Sequence, residues 1–364
     1  MKRLVNILLT ALAALTAFGL ICTAYGGHID PRVWALPAVA SLAFVPTLLV
    51  AVVMTLGCAL LRSWRAAAIL AGALILTWPV TGVQAPVNLT SPTPKGKTFR
   101  LMTYNVSIFN DNGETLEYIL TQDCDIVAIQ EGSLCTLHYD QLPQHKHLIE
   151  ELDRKYPYRS HGYHDLMILS KWPYTVYADS TLRHGFGSLD DSSSEYHFYT
   201  KMFRIDVDGH EVRLLNVHLQ SIGLKESDKQ LYVDITRNNV QGGTGLRRAR
   251  YSIISKLQSA ARRRANEAEL IRSVLDSIPA ERTIVCGDFN DVATSFAHRT
   301  IAGADLRDAW ADCGLGPTYT FHDHRMLFHI DHVLYGGRLR AIDINLHREG
   351  RSDHYPQIVT FELR

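Results

Sequence analysis

From Leu4 to Tyr25 the chain carries no charged side chain, and an apolar stretch of that length spans a bilayer core as a helix. Such a segment either crosses a membrane or is removed as a signal peptide. Cys22-Thr23-Ala24-Tyr25 is a poor small-residue cleavage site. Two further apolar runs follow, Trp34 to Leu61 with Pro37 and Pro46 inside it, and the shorter Ala66 to Val83. Membrane helices tolerate such prolines where neighbours satisfy the freed carbonyls. The expectation is therefore an anchor of about three transmembrane helices over residues 1–83, with the lipid bilayer as its partner. Lys2 and Arg3 precede the first run, and Arg62 and Arg65 separate the second from the third. The positive-inside rule puts these on the cytoplasmic side, giving a multi-pass cell-membrane protein whose remaining residues are extracytoplasmic.

Residues 84–98, rich in Pro, Thr and Lys, read as an extended linker, and a soluble domain is expected over 99–364. Over the whole chain 37 basic residues balance 37 acidic ones, so no global basic field announces a nucleic-acid partner. The six cysteines show no paired metal-ligand spacing, which speaks against a zinc or redox site. Strand-like runs occur at Phe99–Val106, Asp125–Gln130, Leu166–Ser170, Tyr199–Val207, Val212–Leu219, Arg282–Cys286, Ile330–Leu334 and Gln357–Leu363. Helical periodicity marks Glu114–Gln122 and Ser259–Ile278, while Ser180–Ser194 and Ile222–Arg250 read as long surface loops. Strands interleaved with helices predict an α/β domain of two layered sheets.

The chemistry is concentrated at the ends of these strands. Gly287-Asp288-Phe289-Asn290 and Ser352-Asp353-His354 each set an acid beside an amide or imidazole, the groups a water-activating hydrolase uses next to a divalent metal. Glu131 leaves a buried strand, where a lone carboxylate is costly unless it meets a cation. Mg²⁺, with Mn²⁺ as the alternative, suits one or two carboxylates plus water and substrate phosphate. Asn105 closes the first strand either as an amide-oxygen donor to a hard cation or as a turn residue. Gly287 permits a tight exit from its strand.

In order and placement, Thr103-Tyr104-Asn105-Val106, Ile129-Gln130-Glu131, Asn216-Val217-His218-Leu219, Gly287-Asp288-Phe289-Asn290, Ile330-Asp331-His332 and Ser352-Asp353-His354 resemble the endonuclease/exonuclease/phosphatase superfamily. The resemblance covers essentially residues 99–364 and implies a two-sheet, four-layer α/β sandwich of the DNase I-like kind. It implies a metal site at Asn105, Glu131 and Asp353. His218 would stabilise charge on a non-bridging phosphate oxygen, Asp288 would activate the attacking water, and Asn290 would hold water or phosphate. Asp331 would orient His354, which polarises the phosphate or assists proton transfer. Leu306-Arg307-Asp308-Ala309 and Pro317-Thr318-Tyr319-Thr320 match segments that shape the site. The chain departs from the pattern at His329, where the family often has Arg, and at His332, which replaces a frequent aromatic.

The expected function is thus a membrane-anchored, Mg²⁺-dependent phosphoesterase hydrolysing phosphodiesters, in the first place an endonuclease/exonuclease-type enzyme. A phospholipid phosphodiesterase of sphingomyelinase type or an inositol-phosphate phosphatase is the alternative, and a silent phosphate-binding module is the alternative of another class. The partners expected are a phosphoester substrate, nucleic acid or phospholipid headgroup, and the bilayer; no protein partner is inferred. The cluster Arg247, Arg248, Arg250, Arg262, Arg263 and Arg264 reads either as a grip for an anionic substrate or as a solvated helix face balanced by Glu267 and Glu269.

Overall fold

The computed structural model describes residues 2–109, 111–132, 143–160, 166–177, 199–236, 243–278, 281–348 and 351–364. The 180–194 segment and Cys135 lie outside the described residues, as do the side chains of Arg247, Arg248 and Arg250.

Two six-stranded sheets form the body of the protein. The first runs β11 (Leu339–Leu346), β12 (Gln357–Leu363), β1 (Thr98–Asn105), β2 (Ile126–Gln130), β4 (Met167–Ser170), β3 (Tyr158–Arg159). The second runs β5 (Tyr174–Val176), β6 (Tyr199–Val207), β7 (His210–His218), β8 (Arg282–Asp288), β10 (Asp331–Gly337), β9 (Leu306–Asp308). Phe99, Leu101, Phe203, Ile284, Val333 and Phe361 are among the side chains that fill the space between the sheets. Helices α6 (Glu114–Gln122) and α7 (Lys146–Lys155) cover the outer face of the first sheet. Helices α9 (Gly243–Asp276) and α10 (Phe296–Ala302) cover that of the second. The result is the four-layer α/β sandwich expected from the sequence. Central strands buried on both faces read as nearly continuous apolar runs, which is why they were legible.

Each sheet has one parallel pair at its centre, β1 with β2 and β7 with β8. Because parallel strands end at the same edge, Asn105 pairs in register with Gln130, and His218 with Asp288. Asp331 begins antiparallel β10 directly opposite Asp288. Buried amides join the sheets at this edge. Gln130 Nε2 donates to Asn216 Oδ1 at 2.6 Å, and Asn216 Nδ2 donates to the carbonyls of Ile129 and Met167 at 2.9 and 3.0 Å.

One expectation is corrected. Within the stretch read as a loop from Ile222 to Arg250, helix α8 occupies Glu226–Thr236, and α9 starts at Gly243. Glu226 and Asp228 favour the first turn of α8. Gly243 and Gly245 sit in the first turn of α9, where glycine disturbs a helix least.

The N-terminal residues form a helical bundle: α1 (Lys2–Tyr25), α2 (Leu36–Ser41), α3 (Phe44–Leu60), α4 (Trp64–Leu76) and α5 (Trp78–Gln84). Only α1 is both long and apolar enough to cross a bilayer alone among the described helices. The 17-residue α3 is shorter, and α4 with α5 reach the length as a pair bent by 63°. The bend falls at Thr77, with Pro79 in the first turn of α5. The run from Trp34 to Leu61 divides because Pro37 starts the separate helix α2. Inside the bundle the helices meet through Ala13, Ala17, Ala51, Ala66, Leu70 and Ala73. Outside it, Leu8, Leu15, Phe18, Val53, Leu56 and Leu60 are 60–84% exposed.

The bundle is docked on the sandwich. Arg32 forms an ion pair with Glu269 of α9, and Arg299 of α10 donates to the Gly27 carbonyl at 3.3 Å. A Cβ at Gly27 would lie 1.9 Å from the Thr294 carbonyl oxygen, so only glycine allows this approach. The 84–98 segment is likewise held. Asn88 Nδ2 donates to the Ala311 and Gly314 carbonyls, and the Lys95 and Gly96 N–H groups donate to Glu362.

Candidate active site

Gly287 and Glu131 show how the backbone sets up the site. Gly287 has φ +136°, and a Cβ there would lie 2.0 Å from the Val217 carbonyl oxygen, so its absence lets β7 and β8 run close together just before His218 and Asp288. Glu131 and Asn290 hold left-handed backbone, at φ 55° and 50°, unusual for side-chain-bearing residues and found disproportionately at functional sites.

The side chains then converge. Asn105 Nδ2 donates to Glu131 Oε1 and to Asp288 Oδ2, each at 3.0 Å. Its Oδ1 accepts from the Ser107 N–H at 3.1 Å, so Asn105 meets the acids through nitrogen, where the sequence suggested oxygen. His218 Nε2 lies 3.7 Å from both Glu131 Oε1 and Asp288 Oδ2, and its Nδ1 is buried without a partner. His354 Nε2 lies 3.7 Å from Asp288 Oδ2, and its Nδ1 bonds Asp331 Oδ2 at 2.8 Å. Asp288 Oδ1 accepts from the Asn290 N–H at 2.7 Å. The Asn290 amide nitrogen is committed to the Leu219 carbonyl at 2.9 Å. Asp353 lines the same cavity as Glu131 and His354. The eight residues named from the sequence therefore meet at one edge of the sandwich.

Supporting residues fix them. Ser352 Oγ donates to the Asn105 carbonyl at 2.8 Å. Thr320 Oγ accepts from the N–H groups of Ile330 and Asp331 at 3.1 and 3.0 Å. Gln357 Nε2 donates to the Asp331 carbonyl at 2.8 Å.

Electrostatics divide the roles of the two buried aspartates. Burial pulls His354 down, but Asp331 and Asp288 beside it overcome this and push it up to about 10, so its ring is a cation at neutral pH. Burial raises Asp331, yet the charge and hydrogen bond of His354 outweigh it and hold Asp331 below the usual carboxylate range. Burial keeps Asp288 above that range, His354 and His218 opposing it in part. A carboxylate with a raised pKa is the better proton acceptor of the two.

Glu131, Asp288 and Asp353 bring three carboxylates to one cavity beside His218 and His354. That set of hard oxygen donors fits a divalent cation of the Mg²⁺ type. A buried acid–imidazole pair at the floor of a carboxylate-rich cavity, on a two-sheet sandwich, defines a metal-dependent hydrolase of phosphoric esters. The chain belongs to the Endonuclease/Exonuclease/phosphatase family, whose model matches residues 102–354. A second model, of a domain of unknown function, matches residues 5–83. No curated protein matches the chain. Among solved structures, an endonuclease/exonuclease/phosphatase from Bacteroides vulgatus is similar at 18% identity, over 74% of this chain and 100% of that one, with a TM-score of 0.45. Sphingomyelinase C from Streptomyces griseocarneus is similar at 17% identity, over 72% and 99%, with a TM-score of 0.44. TDP2 of D. rerio complexed with a single-strand DNA product is similar at 14% identity, over 73% and 99%, with a TM-score of 0.47.

Sequence reasoning missed the walls of the site. The cavity, of about 260 Å³, is lined by Leu42, Ile222, Leu224, Ile253, Leu257 and Met326 as well as by the catalytic groups. Leu42 comes from the N-terminal bundle, between α2 and α3. No local pattern marks it, because its role depends on α2 packing against α9.

The arginine-rich segment splits in two. Arg264 is buried, its Nε on Asp291 Oδ2 at 3.0 Å and its Nη1 on the Gln220 carbonyl at 3.0 Å, so it ties α9 to the site loops and presents no charge to a substrate. Glu267, also buried, accepts from the Gln220 N–H at 2.9 Å. Burial pushes Glu267 up to about 7, against that hydrogen bond and Arg264. The folded protein thus holds this proton more tightly than the unfolded chain, and stability falls as pH rises from about 4.5 to about 7. Glu267→Gln is expected to remove this dependence and to stabilise the protein at pH 8 by about 3 kcal/mol. Thermal denaturation from pH 5 to 8 reads it, and equal slopes for both proteins would refute it.

Proposed function

We propose that this protein is a membrane-tethered, Mg²⁺-dependent phosphoesterase that hydrolyses the phosphoester of an amphiphilic lipid. The cavity carries this reading: the residues that line it combine the catalytic groups with the apolar side chains of Ile222, Leu224, Ile253, Leu257, Met326 and, from the helical bundle, Leu42. Residues 1–83 serve as the anchor, 84–98 as the docked linker and 99–364 as the catalytic domain. The exposed belt of leucine, valine and phenylalanine over an alanine-rich interior supports embedding, since membrane bundles pack through small residues and turn large apolar ones to lipid. The chain path supports the orientation. The ends at Tyr25, Leu36 and Leu76 adjoin the catalytic domain, whereas Lys2, Arg3, Arg62 and Arg65 lie at the opposite ends of their helices.

Asp288 accepts the proton of the attacking water, held ready by its raised pKa. His354, cationic and oriented by Asp331, and His218 stabilise the non-bridging oxygens as charge builds on phosphorus. Glu131 and Asp353, with Asn105 beside them, would hold the cation, which supplies Lewis-acid neutralisation of the phosphoryl oxygens.

The sequence put nucleic acid ahead of lipid; here lipid is placed first, on the apolar part of the cavity lining. Lys229, which lines the cavity, is paired with Asp323, and Lys256 with Asp228, so among the described residues neither lysine is an open cation for a polyanion. The test uses the full chain in detergent with Mg²⁺ or EDTA, on phospholipid vesicles and on supercoiled plasmid. Metal-dependent release of headgroup with no nicking supports the lipid reading; nicking without lipid cleavage overturns it. Leu42→Lys is expected to lower vesicle hydrolysis about tenfold or more while sparing a small soluble phosphodiester, because one wall contact distinguishes the two substrates. Equal loss on both substrates would remove Leu42 from specificity.

A further inference from the structure

His329 and His332 break the family pattern, and catalysis uses neither. His332 lies in β10 next to Asp331 but points to a different place. Its Nε2 is 2.9 Å from the Asp291 carbonyl, which can only accept, so Nε2 carries the ring proton. Nδ1 is fully buried and has no partner within hydrogen-bond distance. It faces Asp308 Oδ2 at 3.7 Å, another acceptor. The same carboxylate oxygen lies 2.8 Å from His298 Nε2. Asp308 Oδ1 is committed elsewhere, accepting from the Trp310 and Ala311 N–H groups at 2.7 and 3.3 Å where it caps helix α11 (Ala309–Cys313).

A buried ring nitrogen that faces a buried carboxylate oxygen at 3.7 Å, beyond hydrogen-bond distance, leaves room for a cation between them. We propose that His298 Nε2, Asp308 Oδ2 and His332 Nδ1 form a second metal site, separate from the catalytic one, that takes a divalent transition ion, Zn²⁺ foremost. The three atoms lie within 4.8 Å of one another. Tetrahedral zinc sets its ligand atoms about 3.3 Å apart, so the 3.7 Å edge from Asp308 to His332 would contract slightly, the 2.8 Å edge to His298 would open, and the edge between the two imidazoles, within 4.8 Å, would close by rotation of the rings. Imidazole nitrogens with one carboxylate select transition ions over Mg²⁺. The Asp291 carbonyl bonded to His332 fixes the tautomer, the usual arrangement behind a ligating histidine.

An entry path exists. His298 and Asp308 line a second cavity, of about 460 Å³, between the sandwich and Tyr25, His28, Val80 and Val83 of the bundle. A bound ion would join α10, the β9–α11 corner and β10 beneath the docked helices, and so stabilise the seat of the bundle without entering the reaction.

The test counts metal. Full-length protein in detergent is stripped with EDTA, equilibrated with Zn²⁺, desalted and assayed for bound zinc, alongside Glu131→Ala and the double variant Glu131→Ala/His298→Phe. The expected result is one equivalent in Glu131→Ala, a zinc-dependent rise in its Tm, and loss of both in the double variant. Co²⁺ should give Glu131→Ala visible absorption bands of a nitrogen-ligated tetrahedral ion that the double variant lacks. His298→Gln, which keeps the volume closer, replaces His298→Phe if the latter fails to fold. No zinc in Glu131→Ala, or equal zinc in both, overturns the proposal and leaves a proton as the shared cation. Neither readout depends on which phosphoester is hydrolysed.

Discussion

Asp288→Asn should lower kcat about a thousandfold, the range over which a positioned general base acts, and should do so without loss of stability. The substitution is isosteric, and the Asn290 N–H keeps an acceptor at the position of Asp288 Oδ1. Asn105 cannot turn its amide without losing Glu131 and Ser107, so its hydrogen bond to residue 288 is lost, at about 1 kcal/mol, which release of the buried charge offsets. Burial holds the Asp288 pKa above its unfolded value, so the ionised acid costs stability at every pH above the ordinary carboxylate range. The neutral amide is free of that cost, and the Tm at pH 8 is expected to hold or rise while turnover collapses. Rates on a small soluble phosphodiester, measured with calorimetry on the same preparation, check both halves. A variant that retains more than about a tenth of wild-type kcat would take the base role away from Asp288.

The largest structural effect is expected at Gly287. Alanine there meets both an unfavourable φ of +136° and the Val217 carbonyl oxygen at 2.0 Å. Val217 and Gly287 are register partners in the central parallel pair, so the clash drives β7 from β8 one residue before His218 and Asp288. A loss of about 3–5 kcal/mol is expected, with activity gone even where the fold survives. Gly209→Ala is the control. Gly209 also has positive φ, +84°, but a Cβ there touches nothing within 4 Å, and the cost should stay near about 1 kcal/mol. Denaturant titration of the pair separates backbone preference from collision, and equal costs would refute the collision.

Much of the catalytic edge was legible because each residue there is local in two senses. Its chemistry is displayed by its own type, and it stands at the end or the start of an apolar strand: Glu131 after Ile126–Gln130, His218 and Asp288 closing β7 and β8, Asp331 opening β10 and His354 ahead of β12. The short strands β3, β5 and β9 left no comparable trace, since two or three residues cannot establish a period. Strand β11 is interrupted by a register shift between Ala341 and Asp343, which breaks its alternation. Helix α8 was hidden by a mixed polar sequence whose helicity is decided by packing. Leu42 was beyond reach for another reason. Nothing in Ser41-Leu42-Ala43 distinguishes it from any apolar residue of a membrane segment, and its place in the cavity wall depends on contacts with a helix more than 200 positions away.

The seating of the bundle has a kinetic consequence. Arg32 on Glu269, Gly27 against Thr294 and the fastened 84–98 segment leave no slack between the helices and the sandwich. An enzyme on a loose leash would sweep a volume and respond to the bulk concentration of its substrate. On the membrane-tethered reading proposed above, this one keeps its cavity in a set position relative to the bilayer. Its velocity should therefore follow the number of substrate molecules per unit of membrane area, falling when inert lipid dilutes them and staying constant when more vesicles of the same composition are added above saturation.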